Sequence, residues 1–266
     1  MRPVLPVVVL IATALLSGCG LLPDKIDETA DWSASKLYSE ARANMNDGDY
    51  ETAVKYYDLV MARFPFGQYA QQAQIDIAYT HYKDNEPDAA LAALDRFIKN
   101  NPQHPHVDYA YYLKGVVNFS RGQSFFDRWL PQDKSERDQG AAKESFYDFQ
   151  ELAQRFPDSK YTRDARQRML FLRNNVAAYE IKAASYYMKR GAYLAAANRA
   201  EHVIENYQGT PIMPEAVAIL FEAYSKLGLD GLAGDARRVL EKNYPDHPAL
   251  TGETRDDNCI LWIICV

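Results

Sequence analysis

The residues best able to perform chemistry are five histidines, three cysteines and scattered carboxylates. The one close histidine pair, His104 and His106, flanks Pro105 with no cysteine nearby, so a solvated loop is favoured over a metal site. The chain contains no Gly-Lys-Ser/Thr phosphate loop, no His-Glu-x-x-His pair and no Gly-x-Ser-x-Gly turn. The sequence therefore predicts a protein that is not an enzyme, with no catalytic residue, no metal and no dissociable cofactor.

Cys19 is the residue for which the sequence predicts a covalent modification. Arg2 precedes an apolar run from Val4 to Leu16, and the run ends in Leu16-Ser17-Gly18-Cys19. A basic start, an apolar stretch too short to span a bilayer and small residues before a cut site are typical of a secretory signal. The tetrad resembles a bacterial lipobox; an ordinary signal peptide with a chance cysteine is the alternative.

Acylation of Cys19 has a clear physical consequence. In the lipobox pattern the chain is cut before Cys19, the thiol carries an S-diacylglycerol and the new amino group carries an N-acyl chain. Each buried methylene contributes about 0.8 kcal/mol, so several chains hold a protein stably on a membrane. Gly20 follows instead of aspartate, which by resemblance to lipoprotein sorting favours the outer membrane. We predict a signal peptide at 1–18 and an acylated cysteine with its tether at 19–32.

Composition and charge limit the class of partner. Hydrophobic residues make up 47% of the chain and charged residues 25%, which is enough for a packed core. The net charge of −6 argues against a nucleic-acid-binding protein, which needs a clustered basic surface. The basic run from Arg163 to Arg173 contains Asp164, so a solvated or partner-facing helix is favoured there.

A repeat defines the elements that must position any binding residues. Turn-forming residues recur at intervals of 37, 55, 51 and 37, and a small residue follows each turn by five positions. Periods of this length indicate a solenoid of helix pairs, for which about 34 residues is usual in tetratricopeptide (TPR) repeats. An unrelated amphipathic bundle is the alternative. The turns are Gly48, Asn85, Gly140, Gly191 and Gly228, and the small residues are Ala53, Ala90, Ser145, Ala196 and Ala233.

The predicted fold is an all-α, TPR-like solenoid of five helix-turn-helix repeats. The third repeat carries an insertion, Gln123 to Gln139, and an extra helix at 160–174 precedes the fourth. A tail at 249–266 contains Cys259 and Cys265 in an apolar stretch, and no role is assigned to it. The repeats are placed at 33–65, 68–102, 106–157, 176–208 and 214–246.

The first helices of the early repeats are rich in tyrosine. TPR-like arrays bind peptides or protein domains along a surface lined by these helices, and tyrosine offers a large apolar ring with a polar tip. The alternative is that most of these rings pack between helices. The candidate binding residues are Tyr38, Tyr69, Tyr79, Tyr109 and Tyr112, with Asp76 and Arg96 as polar contacts.

Several motifs together resemble one family over about residues 16–246. They are the Leu-Ser-Gly-Cys tetrad, Arg63-Phe64-Pro65-Phe66-Gly67-Gln68-Tyr69 with Gln72 and Asp76, Asp95-Arg96-Phe97-Ile98, Tyr161-Thr162-Arg163-Asp164-Ala165, Tyr179-Glu180 and Asn198-Arg199. In this combination the chain resembles the BamD family, also called ComL or YfiO. Its members are lipoproteins of the outer-membrane β-barrel assembly machinery of Gram-negative bacteria.

The resemblance implies a non-catalytic scaffold on the periplasmic face of the outer membrane. It implies that the half at 158–248 docks on the barrel-forming insertase, beside accessory lipoproteins, and that the half at 33–157 receives unfolded outer-membrane proteins. The implied docking residues are Arg199, Tyr179, Glu180 and Tyr187, and Gln72 joins the substrate groove. Arg199 could bind a partner's carboxylate through two of its N–H donors or, alternatively, pair within its own array.

Two other functions stay open at the level of sequence. The first is a peptidoglycan-associated envelope lipoprotein that supports competence, as the name ComL suggests. The second is a chaperone-like adaptor that works without its lipid.

Overall fold

The computed structural model describes residues 27–121 and 139–251. Cys19, the body of the predicted insertion, Cys259 and Cys265 lie outside these ranges. All regular structure within them is helical. The helices are α1 (Ala34–Asp47), α2 (Tyr50–Arg63), α3 (Gln68–Lys83), α4 (Pro87–Asn100), α5 (Val107–Ser120), α6 (Gln139–Arg155), α7 (Thr162–Lys189), α8 (Tyr193–Asn206), α9 (Met213–Leu227), α10 (Asp230–Asn243) and the short α11 (Pro248–Thr251).

Consecutive helices pack as antiparallel neighbours along the whole described array. The pairs are α1 with α2, α3 with α4, α5 with α6, α7 with α8 and α9 with α10, and the second helix of each pair also packs on the first helix of the next. This arrangement confirms the predicted all-α fold of repeated helix-turn-helix units. None of the described helices combines the length and the apolar character that crossing a bilayer requires.

Four of the five predicted turn positions adopt a left-handed backbone. The φ angles are 85° at Gly48, 60° at Asn85, 74° at Gly191 and 71° at Gly228. Glycine and, less often, asparagine tolerate this conformation, which reverses the chain after a helix. The prediction was wrong for Gly140, which lies in the first turn of α6. Glycine ends a helix where its backbone is left-handed, and Gly140 is not among the described residues with a positive φ.

A small buried side chain lies at the predicted position in the second helix of each pair. Bulkier residues there would hold the paired helices apart, because helix axes approach to 8–10 Å only where the contacting side chains allow it. The five residues are all buried: Ala53, Ala90, Ser145, Ala196 and Ala233.

Helix α7 differs from the prediction of a separate extra helix at 160–174 followed by a new repeat at 176. The structure has one continuous helix of 28 residues, Thr162–Lys189. The segment contains no proline or glycine, and the polar pair Asn174-Asn175 continues the helix. The predicted extra helix is therefore the first half of α7, and the first helix of the fourth pair is its second half.

The hydrophobic core divides within α7. Its first half contributes Ala165 and Leu172 to a core that extends back to Leu37. Its second half contributes Ala177 to a second core shared with α8 and α9. The packing thus changes between residues 172 and 177, later than the predicted division at 157–158. A third, smaller cluster joins α9 to α10 and the chain after α10.

The α5–α6 contact depends on the absence of a side chain at Gly115. A Cβ placed there would lie 2.5 Å from the Phe149 ring, which is fully buried. The Ser145 hydroxyl donates to the Gly115 carbonyl at 2.9 Å across the same contact. Side chains of α6 therefore contact the bare backbone of α5 at this point, and Phe149 covers the glycine.

We expect Gly115→Ala to lower the free energy of unfolding by about 1–3 kcal/mol, because overpacking a tight core forces side chains or backbone to shift. Gly231→Ala is the matched control, since a Cβ on that helical glycine meets nothing within 4 Å. Because Gly231 lies in the first turn of α10 without a positive φ, its replacement by alanine should not lower the free energy of unfolding. Urea denaturation followed by circular dichroism measures both. Equal stability of the two variants would contradict the close α5–α6 contact.

Candidate protein-binding surfaces

The first predicted surface is built around Asp76 of α3. The Tyr38 hydroxyl of α1 donates to Asp76 Oδ2 at 2.5 Å, and Gln72 Nε2 donates to Asp76 Oδ1 at 3.0 Å. The Tyr38 ring lies 5.2 Å from that of Tyr69, centroid to centroid. Four predicted residues from two repeats thus form one cluster.

Burial dominates the electrostatics of this cluster. It raises the pKa of the Asp76 carboxyl above its ordinary value, and the hydrogen bonds from Tyr38 and Gln72 and the charge of Arg42 only partly oppose it. Burial and the bond to Asp76 raise the pKa of Tyr38 as well. Beneath them, the buried Tyr57 hydroxyl has no hydrogen-bond partner among the described residues. The cluster therefore keeps a carboxylate at the edge of an apolar, tyrosine-rich patch.

Tyr109 and Tyr112 of α5 carry the aromatic patch onward to the start of α7. Tyr112 stacks on Tyr161 with ring centroids 4.9 Å apart, and Tyr109 lies 5.3 Å from the same ring. After burial, the nearby Tyr79 makes the next largest contribution to the raised pKa of Tyr109, and Asp76 adds to it. These groups therefore link the α3 and α5 portions.

A second tyrosine–carboxylate pair lies in this portion. The Tyr112 hydroxyl donates to Asp164 Oδ2 at 2.7 Å, and Arg168 Nε donates to the same oxygen at 2.6 Å. Burial opposes ionisation of Asp164, but the bonds from Arg168 and Tyr112 outweigh it and lower its pKa. We call the whole set the tyrosine surface: Tyr38, Tyr69, Gln72, Asp76, Tyr79, Tyr109, Tyr112, Tyr161, Asp164 and Arg168.

Sequence reasoning missed the role of Tyr161, Asp164 and Arg168 in this surface. Tyr112 and Asp164 are 52 residues apart, so no local spacing links them. The available signal was the position of Asp164 among arginines, because an arginine four residues later on a helix can pair with a carboxylate. Arg168 makes that pair with Asp164.

Arg96 does not join the tyrosine surface. It lies exposed on α4, the second helix of its pair, where its Nε donates to the Ala92 carbonyl at 3.4 Å. Its charge acts instead on Asp58 of α2. Burial raises the pKa of Asp58, and the charges of His81 and Arg96 partly oppose that rise. The prediction that Arg96 supplies a polar contact in the same groove as Asp76 is therefore corrected.

The second predicted surface centres on Arg199 of α8. Arg199 Nη1 donates to Glu180 Oε2 of α7 at 2.6 Å. Arg199 therefore does pair within its own array, which was the alternative to pairing with a partner. The bond to Glu180 and then its charge hold the pKa of Arg199 above its ordinary value. Both residues line a cavity of about 470 Å³ with Tyr187. We call it the arginine cavity; Tyr179 is not among its lining residues.

The ion pair leaves Arg199 able to bind a further group. A guanidinium has five N–H donors in a fixed fork, and one of them serves Glu180. The Arg199 side chain is 43% exposed, whereas Glu180 is 14% exposed. Glu180 therefore holds the arginine from its more buried side, and the half-exposed guanidinium beside Tyr187 lines a cavity suited to a carboxylate.

The histidine loop shows no metal-binding geometry. The His106 amide donates to His104 Nδ1 at 3.1 Å, and burial lowers the pKa of His104. Across residues 27–121 and 139–251, no three His, Cys, Asp or Glu side chains are grouped so that they could hold a metal ion.

The family model and the relatives found by sequence similarity agree on one family. The family described as YfiO, outer membrane lipoprotein, matches residues 30–240. A protein of Neisseria meningitidis serogroup A is 48% identical over 93% of this chain and 94% of its own length. One of Neisseria gonorrhoeae is 49% identical over 88% of both chains, and one of Xylella fastidiosa is 38% identical over 94% of this chain and 86% of its own. Each is named outer membrane protein assembly factor BamD.

The raised pKa of Asp76 predicts a pH dependence. The pKa of Asp76 in the folded state is above its ordinary value of 3.8, so the folded state binds a proton more readily than the unfolded state. Lowering the pH therefore stabilises the fold through this group. Relative to Asp76→Asn, the wild type should therefore gain free energy of unfolding as the pH falls from 7 towards 4. Urea denaturation at a series of pH values measures this difference.

Asp164→Asn serves as a control of opposite sign. The pKa of Asp164 in the folded state is below its ordinary value of 3.8. The stability that this carboxylate contributes is therefore present above pH 3.8 and is lost as the pH falls below that value. The wild type should lose stability relative to Asp164→Asn in that acidic range. The same trend for both variants would contradict the contrast between the two carboxylates.

Proposed function

The chain belongs to the YfiO family of outer membrane lipoproteins, and we propose on this premise that it is an outer membrane protein assembly factor. The observation that carries the proposal is the 48–49% identity to relatives of that name over nearly the whole chain. No observation favours the peptidoglycan-associated role over this one. The protein acts by binding: its two surfaces present aromatic rings, an arginine and carboxylates, and we assign neither surface a reaction.

The proposed location follows from Cys19 and from the family. Outer membrane association accords with the family description. We propose that acyl chains on Cys19 provide the attachment and that the helical array lies on the periplasmic side. Arg63 binds Asp27 at 2.5 Å and the Thr29 carbonyl at 2.5 Å. These bonds fasten the chain to the first repeat eight residues after the acylated cysteine.

The two surfaces have different proposed partners. The arginine cavity docks on the barrel-forming insertase, because its oriented guanidinium suits a partner carboxylate. The tyrosine surface receives unfolded outer-membrane proteins, because its rings and hydrogen-bonded carboxylates suit extended segments that carry aromatic side chains. Accessory lipoproteins of the same machinery are further proposed partners.

We expect Arg199→Glu to abolish or strongly reduce co-purification of the insertase with the affinity-tagged, detergent-solubilised protein. The substitution places a second carboxylate beside Glu180 and repels the partner's carboxylate; losing such a charge pair costs about 2–5 kcal/mol. Arg237→Glu is the control for the same charge reversal elsewhere on the array, because Arg237 pairs at 2.8 Å with Glu241, four residues on along α10. Quantitative immunoblotting against the insertase measures the yield.

The outcomes separate the parts of the proposal. Loss with Arg199→Glu alone supports the docking site, and equal retention by both variants refutes it. Failure of the wild type to recover the insertase refutes the assembly role itself. Cys19→Ala, expressed in parallel, tests the anchor: it should leave the membrane fraction, and its retention there would contradict acylation at Cys19.

Contact between unfolded substrate and the tyrosine surface is tested by photocrosslinking. A photoreactive phenylalanine at Tyr79 should crosslink to an unfolded outer-membrane porin held in urea and diluted onto the protein. The same residue at Tyr186, a tyrosine of α7 that is 57% exposed and outside this surface, is the control. Crosslinks of equal yield at both positions would show unspecific contact and refute the assignment.

A further inference from the structure

A second cavity lies close to the arginine cavity, where α6, α7 and α8 meet. It has a volume of about 320 Å³. Leu172 and Val176 of α7 are buried residues of its wall, and Phe146 and Tyr147 of α6 contribute two rings. We call it the seam cavity. Its size and its mostly apolar lining suit an aromatic or large aliphatic side chain.

The seam cavity exists because two cores separate at this point. Leu172 belongs to the core of the first three helix pairs, and Ala177 belongs to the core shared by α7, α8 and α9. Val176, although only 7% exposed, is part of neither. Tyr147 at the cavity is 63% exposed, an unusual position for so large a ring. Apolar surface left open in this way marks a contact site.

The seam cavity adjoins the arginine cavity. His202 lines both of them. On α7, Arg173 and Val176 line the seam cavity while Glu180 and Tyr187 line the arginine cavity, at helical spacings that place all four on one face. From Arg173 to Tyr187 this face is about 21 Å long at 1.5 Å per residue. One groove between α7 and α8 therefore contains both cavities.

The charges along the groove define the partner's chemistry. The cations that line it are Lys143, Arg173 and Arg199, and the one lining carboxylate, Glu180, is already bound by Arg199. Arg173 donates to the Gln208 carbonyl, which fixes its guanidinium near Tyr207. A chain of net charge −6 thus concentrates positive charge around an apolar cavity. The complementary segment is acidic and carries an apolar side chain.

We propose that the partner that docks on Arg199 also inserts an aromatic or large aliphatic side chain into the seam cavity. Arg173 and Glu180 are seven residues apart, about 10 Å along α7. An extended chain covers that distance in about three residues. The partner segment therefore presents a carboxylate to Arg199 and an apolar side chain about three residues away. This inference rests on the proposed docking function and adds a second, apolar anchor to it.

Two variants test the seam cavity. Ala142→Phe fills it from α6, and Tyr147→Glu places a negative charge at an exposed ring of its lining without adding bulk to the core. Affinity for the detergent-solubilised, full-length insertase is measured by biolayer interferometry. Each variant should weaken binding by about tenfold or more, because a buried apolar anchor carries much of an interface's binding energy.

Phe66→Glu is the matched control, since it removes a fully exposed aromatic residue in the loop between α2 and α3. It should leave the affinity unchanged. Circular dichroism and thermal unfolding establish that the variants are folded. Should Ala142→Phe not fold, Tyr147→Glu alone decides the test. Equal weakening by Tyr147→Glu and Phe66→Glu would overturn the inference.

The inference and the proposed docking site can fail separately. If Arg199→Glu weakens binding while Ala142→Phe and Tyr147→Glu do not, docking stands and the seam cavity is no part of it. If the cavity variants weaken binding and Arg199→Glu does not, the apolar anchor stands without the arginine. If all three bind normally, both assignments are wrong. A change confined to self-association, measured by sedimentation velocity, would assign the cavity to a second copy of this chain and overturn the inference.

Discussion

The close approach of paired helices is the constraint on which the rest of the structure depends. A small side chain in the second helix of each pair, and a bare glycine at Gly115 of α5, let the helices pack at short distance. Because every pair is closed in the same way, the first helices line up side by side. That alignment brings Tyr38, Tyr109 and Tyr161, which are far apart in the sequence, onto one surface.

Packing and recognition are combined in the same tyrosines. The ring of Tyr38 lies against Tyr57 and Tyr69, while its hydroxyl binds Asp76. Tyr112 likewise packs its ring, here stacked on Tyr161, while its hydroxyl binds Asp164. Packing between helices and display at a surface are therefore compatible descriptions of these residues. The Tyr38 hydroxyl satisfies the Asp76 carboxyl group, which would otherwise be costly to bury.

The repeat could be read from the sequence because its signals are local. A left-handed turn and a small residue five positions later need no distant contact, so Gly48 with Ala53 and Asn85 with Ala90 were identified from spacing alone. The continuity of α7 was missed because the repeat spacing placed a new unit at 176, although no proline or glycine interrupts the helix there. Arg96 was grouped with Asp76 although it follows the Asn85 turn and therefore belongs to a second helix, whereas the first helices line the groove. Acylation of Cys19 and the partners of both surfaces stay predictions.

Helix α7 belongs to both surfaces, since Asp164 near its start binds Tyr112 and Glu180 in its second half binds Arg199. Glu180 follows Asp164 by sixteen positions, which sets the separation of the two residues along the helix at about 24 Å. The same spacing also sets their angular phase, because each residue of an α-helix turns by about 100°. Lengthening α7 by one residue between them would leave the repeats on either side with their own packing. It would, however, rotate the docking face away from its present direction relative to the tyrosine surface. The length of α7 thus sets both the distance and the relative orientation of the two surfaces.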